Sequence, residues 1–293
     1  MRHFSFIIFQ IYFALQDKRN FCKQKMKPDK PIDKFYEIPC PCFTALLADF
    51  HNTDPEPVLM SLRSQKPDVI LIAGDIVFSD PPKDNRLQIN DNPNAIDFLH
   101  GCSSIAPTFV SLGNPEFMLC KGDLEVITST GVSLLNISWT SHNGLIIGGL
   151  SSAHFTLYQD FRSRQSGDKL YPKPLKYIMS HKNPPELSWL DEFERQDGYK
   201  ILLCHHPEYY PPYLRGRKID LICAGHCHGG QWRFYSPIHK ETRGVYAPGQ
   251  GLFPALTSGI HDGRLLISQG VSNPVLVPRI NNPTEIVYFG TRH

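Results

Sequence analysis

Five short apolar runs in this chain each end in residues able to bind a metal ion. Asp49-Phe50-His51 closes the run at 43–48, Gly74-Asp75 the run at 69–73 and Gly113-Asn114 the run at 108–112. His205-His206-Pro207 follows the run at 201–204, and Gly225-His226-Cys227-His228 the run at 221–224. Carboxylate, imidazole and amide oxygen without thiolate suit Mn, Fe or Zn rather than an iron–sulfur cluster or an all-oxygen calcium site. His226 and His228, one residue apart, point along parallel directions in a regular strand and do not readily share one small ion. In a turn they can serve two neighbouring ions. Asp75, with two oxygens and a negative charge, is the natural bridge between two cations. Taken singly, a Gly-Asp or Gly-Asn after a strand is usually a turn, and a lone His205 is more often a core or surface histidine. Two histidines set among Gly225, Gly229 and Gly230 have little structural reason to exist. All five groups, each at the end of an apolar run, point together to one metal centre.

The runs themselves must position these residues. They are continuous rather than alternating, as is the run at 145–147, and strands buried on both faces read this way. In open α/β sheets, ligand sites collect at the carboxyl ends of strands, so five such ends can converge. Helices are expected at 57–63, 95–102 and 124–130. Leu187, Leu190 and Phe193 mark another at three-residue spacing, with Gly198 as its C-cap. Residues 156–185 are polar, contain proline and carry Arg162, Arg164, Lys169, Lys173 and Lys176. That is too long for a simple connection and reads as a loop over one face, either a solvated insertion or a substrate-facing lid. From Gly244 on, the chain is rich in Gly and Pro, with strand-like runs at 265–268 and 285–289.

A chain of 293 residues with 41% apolar and 20% charged residues has the composition of a folded domain, not of a disordered segment. Its net charge of +2 provides no global field for nucleic acid or an anionic membrane, so specific nucleic-acid binding is not expected. Eight cysteines without a CxxC pair suggest a reducing, cytoplasmic compartment. Cys204, Cys223 and Cys227 lie in or beside apolar runs and read as small hydrophobes. The apolar stretch at 4–15, interrupted by Gln10, is too short to span a bilayer. The basic segment after it offers no small-residue cleavage site. Residues 1–35 are therefore expected to be a disordered or interfacial extension, compatible with peripheral membrane association, and residues 36–293 the folded domain.

The order of these blocks resembles the calcineurin-like metallophosphoesterase superfamily, whose successive motifs read DxH, GDxxD, GNH(D/E), a strand ending in His, and GHxH. Within it, the GHxHGGQ segment and Pro248-Gly249-Gln250-Gly251-Leu252-Phe253-Pro254 are most similar to small bacterial phosphoesterases, among them membrane-associated phosphodiesterases and hydrolases of lipid-linked nucleotides. The resemblance implies a four-layer α/β/β/α sandwich of two mixed sheets with helices outside. It implies two divalent transition-metal ions (Mn, Fe or Zn, with Mn the first choice), one held by Asp49, His51, Asp75 and His228, the other by Asp75, Asn114, His205 and His226. His205 is preferred to His206 because the family ligand precedes Pro by two residues. Asp80 falls two positions beyond the family spacing and is not assigned. The implied reaction is hydrolysis of a phosphodiester or phosphomonoester by a metal-bridging hydroxide, on a phosphorylated small-molecule or lipid-linked substrate. One departure matters. Where the family reads Gly-Asn-His-Glu, this chain reads Gly113-Asn114-Pro115-Glu116, so the family's general-acid position holds a proline, which also biases Asn114 toward extended backbone. The alternative reading is an impaired enzyme that holds metal and a phosphorylated ligand without turnover.

Overall fold

A computed structural model describes residues 30–78, 88–152, 184–237, 240–275 and 277–292. The apolar stretch at 4–15, Asp80 and nearly all of the basic segment at 156–185 lie outside the described residues. The chain runs through β1 (Ile32–Tyr36), β2 (Thr44–Leu47), α1 (Glu56–Gln65), β3 (Val69–Ala73), α2 (Pro93–Ile105), β4 (Thr108–Ser111), α3 (Lys121–Ser129) and β5 (Ser133–Leu134). It continues through β6 (Ser138–His142), β7 (Leu145–Leu150), α4 (Leu190–Glu194), β8 (Tyr199–Cys204) and β9 (Leu221–Ala224). Then come β10 (Arg233–Ser236), β11 (Glu241–Gly244), β12 (Tyr246–Ala247), β13 (Gly251–Leu252), β14 (Gly259–His261), β15 (Leu265–Ile267) and β16 (Glu285–Phe289).

Two six-stranded mixed sheets carry the fold, in the orders β1-β16-β2-β3-β4-β5 and β14-β15-β9-β8-β7-β6. In the first, β16 runs antiparallel to β2 while β2, β3 and β4 are parallel. In the second, β7, β8, β9 and β15 are parallel, with β6 and β14 antiparallel at the edges. Side-chain alternation sorts the layers. Leu46, Val69 and Leu71 share one buried cluster with Ile201, Leu203, Leu221 and Cys223, which places that cluster between the sheets. Ala45, Leu47, Ile70 and Ile72 face the other way, against Leu62 of α1 and Phe98 and Leu99 of α2. Leu202, Cys204, Ile222 and Ala224 pack outward on Leu190 and Phe193 of α4. The architecture is thus the expected sandwich of two mixed sheets between helices. The central strands are covered on both sides, which is why their sequences are continuously apolar.

Two expectations shift. β1 pairs in parallel with β16 along its whole length, so the sheet takes in residues assigned from sequence to the extension. Its residues are half-exposed, Phe35 by 55%, and an edge strand of this kind gives little apolar signal. The helix marked by Leu187, Leu190 and Phe193 is only five residues long, Leu187 lying before it.

Candidate metal centre

Every strand-end group read from the sequence lies at the same end of the two sheets. After β2 the chain turns sharply at Asp49, His51 and Asn52, with φ of 57°, 50° and 54°. Asp75, His226 and His228 also lie in the left-handed region, at φ 55°, 69° and 45°. Such conformations cost non-glycine residues about 1–3 kcal/mol each and cluster at functional sites. Backbone bonds hold the turns in place: Asp49 N–H donates to Gly74 O (3.2 Å), His51 N–H to Asp75 O (3.0 Å) and Asn52 N–H to Ile76 O (2.9 Å). The first and second groups are thereby laced together beyond the ends of β2 and β3.

The carboxylates tie in the remaining groups. Asp49 accepts the His226 backbone N–H at 3.1 and 3.2 Å, and Asp75 Oδ1 accepts that of Asn114 at 3.0 Å. Gly113 permits this approach, because a Cβ there would collide with Asp75 Oδ1. His205 Nδ1 lies 2.6 Å from Ala73 O and so carries a proton there, which leaves Nε2 as the nitrogen that faces the site. Nε2 is 2.9 Å from Asp75 Oδ1. His51 Nε2 lies 3.6 Å from Asp75 Oδ2 and 4.0 Å from Asp49 Oδ1.

Among the described residues, three sets of donor atoms lie within 4.8 Å of one another: Asp49, His51 and His228; Asp75, His205 and His226; and His206, Glu208 and His226. The first two contain six of the seven residues named from sequence, and the seventh, Asn114, is bonded through its backbone to Asp75. The donors fit divalent cations on their own chemistry. Among the described residues, His51 Nε2 and Asn114 Oδ1 are buried without a hydrogen-bond partner, an arrangement that costs free energy unless something else, such as an ion, takes those lone pairs.

Electrostatics tell the same story. Burial and the charge of Asp75 push the Asp49 carboxyl up to about 7 against the pull of His205 and Arg279. Burial also works against ionised Asp75, but His205, His51 and His226 together hold it below the usual carboxylate range. Burial opposes a charge on His205, yet Asp75 and Asp49 raise it to about 10. His226 is lowered to about 3 by burial and His206, and burial, His51 and Arg279 drive His228 well below the imidazole range. Asp49 and His205 would bind a divalent cation in place of a proton, and the imidazoles of His226 and His228 would already be neutral for it.

Pro115 opens a short 3₁₀ turn, Pro115–Met118. Contrary to the bias expected before proline, Asn114 sits in the right-handed helical region at φ −80°, ψ −35°. The reason is Glu116. Fully buried, its carboxylate accepts N–H groups from Asp75 (3.1 Å), Ile76 (2.7 Å), Val77 (3.0 Å) and Gly113 (2.7 Å), so it fixes the backbone on both sides of the turn. Glu116 belongs to the motif at 113–116, but nothing in the sequence pattern announces this role. Nor does it announce the last flank, at 268–282. There Ser272 Oγ donates to Asp49 O at 2.7 Å, and Asn282 Nδ2 to His228 O at 2.7 Å. Arg279 contacts His228 Nδ1 at 3.2 Å while donating to Gln269 O and Ser272 O. His206, left open from sequence, is buried between Ser152 Oγ (2.9 Å) and Glu208 Oε1 (3.1 Å).

A model of the calcineurin-like phosphoesterase domain matches residues 42–230, the span that carries all five groups. The chain belongs to the calcineurin-like phosphoesterase family. As a family member it is a phosphoesterase-type hydrolase whose clustered Asp and His residues suit metal ions. The flank at 268–282, with Arg279 and Asn282, lies beyond the matched span. No curated protein matches the chain significantly. Among solved structures, a cold-active protein-tyrosine phosphatase of the psychrophile Shewanella sp. is similar at 12% identity over 81% of this chain and 73% of that one, with a TM-score of 0.31.

Proposed function

We propose that this calcineurin-like phosphoesterase hydrolyses a phosphodiester or phosphomonoester at a two-ion centre. Asp49, His51 and His228 would hold one ion, His205, His226 and Asn114 the other, with Asp75 between them. The single observation behind this reading is the pair of three-donor sets, each within 4.8 Å, that adjoin through the buried Asp75 carboxylate. When bound, two divalent ions, with manganese the first choice, supply an activated water for attack at phosphorus and neutralise the phosphoryl oxygens. The chain's own residues orient those ions: Asp49 and Asp75 provide negative charge, and His205 turns Nε2 to the site.

The likeness to small bacterial enzymes that continue GHxHGGQ supports a phosphorylated small-molecule or lipid-linked substrate. Exposed apolar side chains on the segment that follows the last histidines agree with an apolar substituent or a membrane surface, among them Phe234 (49%), Tyr235 (63%) and Phe253 (68%). No helix among the described residues is long and apolar enough to cross a membrane. The test is metal content together with turnover of bis(p-nitrophenyl) phosphate in the parent and in Asp75→Asn. About two ions per chain and turnover in the parent, both lost in the variant, are expected. Unchanged metal content in Asp75→Asn rules out the shared carboxylate.

A second reading, a metal-holding protein that binds a phosphorylated ligand without turnover, is favoured by Pro115, which has neither a donor nor a charge where the family has an imidazole. Two bound ions without turnover of any activated ester would establish it.

A further inference from the structure

Gly74-Asp75-Ile76-Val77-Phe78 sets a benzyl ring at the position that the GDxxD motif gives to its second Asp. The backbone there is clamped. Glu116 takes the N–H groups of Ile76 (2.7 Å) and Val77 (3.0 Å), and Asn92 Oδ1, on a residue that is itself buried, takes that of Phe78 at 2.9 Å. Ile76 and Val77 belong to the buried cluster beneath α1 and α2, whereas Phe78 lies outside it and is 37% exposed. Its ring stands against the metal centre instead. Phe78 makes a T-shaped contact with His51, centroids 6.5 Å apart and planes at 83°, and His51 in turn stacks on His228 at 5.2 Å and 26°. Three rings thus succeed one another: a carbocycle with no ligand atom, then the two imidazoles of the first donor set.

An exposed phenylalanine scattered on a surface needs no explanation, but this one is held beside metal-binding imidazoles at a position where the motif has a carboxylate. A benzyl group neither binds an ion through a lone pair nor moves a proton. What it offers is an apolar, polarised face to a group attached to phosphorus. Position 115 leads to the same chemistry independently. In an aryl ester, a water oxygen bonds to phosphorus as the P–O bond to the aryl oxygen breaks, the electron pair leaves on the ring-stabilised aryloxide, and the proton released by the water passes to solvent. Such an ester needs no acid from the protein, and Pro115 supplies none. We infer that Phe78 is a specificity-determining residue that packs against an aromatic ring carried on the substrate's phosphoryl group, so that the site takes aryl phosphoesters in preference to alkyl ones. The inference rests on the proposed phosphoester site and narrows its substrate class.

The experiment loads the full chain with Mn²⁺, measures its ion content and titrates it calorimetrically with phenylphosphonate and methylphosphonate, which share a phosphoryl group and are not hydrolysed. The parent, Phe78→Ala, Phe78→Leu and Phe78→Tyr are compared by the ratio of the two affinities. About a tenfold preference for the phenyl compound is expected in the parent, the size of one well-placed aromatic pair. Phe78→Ala should bring the ratio near one and Phe78→Tyr should keep it, at the same ion content. Phe78→Leu, which fills the space without a ring, should lose most of the preference and serves in place of the alanine variant if that protein does not fold. A ratio near one in the parent, or a preference that survives Phe78→Ala, would overturn the role of Phe78 and leave the phosphoester site standing. A lower ion content in Phe78→Ala would make the ring a support of the metal centre and overturn the inference in another way. Binding of neither phosphonate by a parent that carries its ions would remove the phosphoester site, and this inference with it.

Discussion

At the scale of single residues, position 115 separates what a metal centre does alone from what a proton donor adds. The backbone around it is intact: Asn114 is bonded to Asp75 Oδ1 and Glu116 gathers four N–H groups. An imidazole is what the family resemblance implies at this position and Pro115 does not supply. A nitrophenolate leaves as a stable anion, whereas an alkoxide needs a proton as its bond to phosphorus breaks, so the loss is selective. Positioned acid catalysis is worth about 10²- to 10⁴-fold. Pro115→His is therefore expected to raise kcat/KM by up to that factor on alkyl phosphodiesters and to leave p-nitrophenyl esters nearly unchanged. The check is the slope of log kcat/KM against leaving-group pKa at matched metal content. Parallel slopes in the two proteins would mean that position 115 donates no proton in this chain. A left-handed histidine is the other residue-scale feature. His51 and His228 adopt φ of 50° and 45°, a conformation that no single-residue pattern in the sequence announces.

At the scale of elements, Glu116 binds two strand ends into one unit. Its two oxygens each take two backbone N–H groups, from the loops after β3 and β4. Glu116→Gln keeps the shape but turns an NH₂ toward two of those donors, leaving them buried and unpaired. At about 1–3 kcal/mol for each unsatisfied group, the variant is expected to lose about 2–6 kcal/mol in urea unfolding. It should also bind metal more weakly, since Asp75 and Asn114 hang from the same loops. Unchanged stability would show that the loops hold themselves. This element also marks where the sequence ran out. Asp49, Asp75, His205, His226 and His228 were legible because each ends an apolar run, and burial on both faces writes those runs plainly. Glu116, Glu208, Arg279 and Asn282 act as partners of backbone groups or of other side chains. They sit in turns and in the 268–282 flank, where no periodicity singles out one polar residue from its neighbours. β1 was lost for the opposite reason, because an edge strand with charged and exposed residues looks like a linker.

At the scale of the whole molecule, that edge strand decides where the folded unit begins. β1 lies parallel to β16 from Ile32 to Tyr36, and β16 in turn is the strand that brings the end of the chain beside β2. Phe35 stacks on Tyr288 with ring centroids 5.3 Å apart. Lys34 Nζ lies 3.3 Å from Glu285 Oε2, whose side chain is fully buried and otherwise bonded to Gln269. Two truncations therefore separate extension from fold. Removal of residues 1–26 leaves all of these contacts and is expected to leave the urea midpoint unchanged. Removal of residues 1–36 opens the β16 edge and strips Glu285 of its cation. Stripping a fully buried pair of one partner costs about 3–5 kcal/mol, and here about 2 kcal/mol is expected because Lys34 is itself 37% exposed. Glu285 precedes Ile286 and follows the 268–282 flank, and Gln269, its other partner, shares its backbone oxygen with Arg279. Loosening at β1 should thus reach His228 through Gln269 and Arg279, and the longer truncation should weaken one metal affinity as well as the fold. Calorimetric metal titration of both truncations checks this. Equal metal affinity in a destabilised 1–36 deletion would confine β1 to stability, and a destabilised 1–26 deletion would place the start of the folded unit before Ile32.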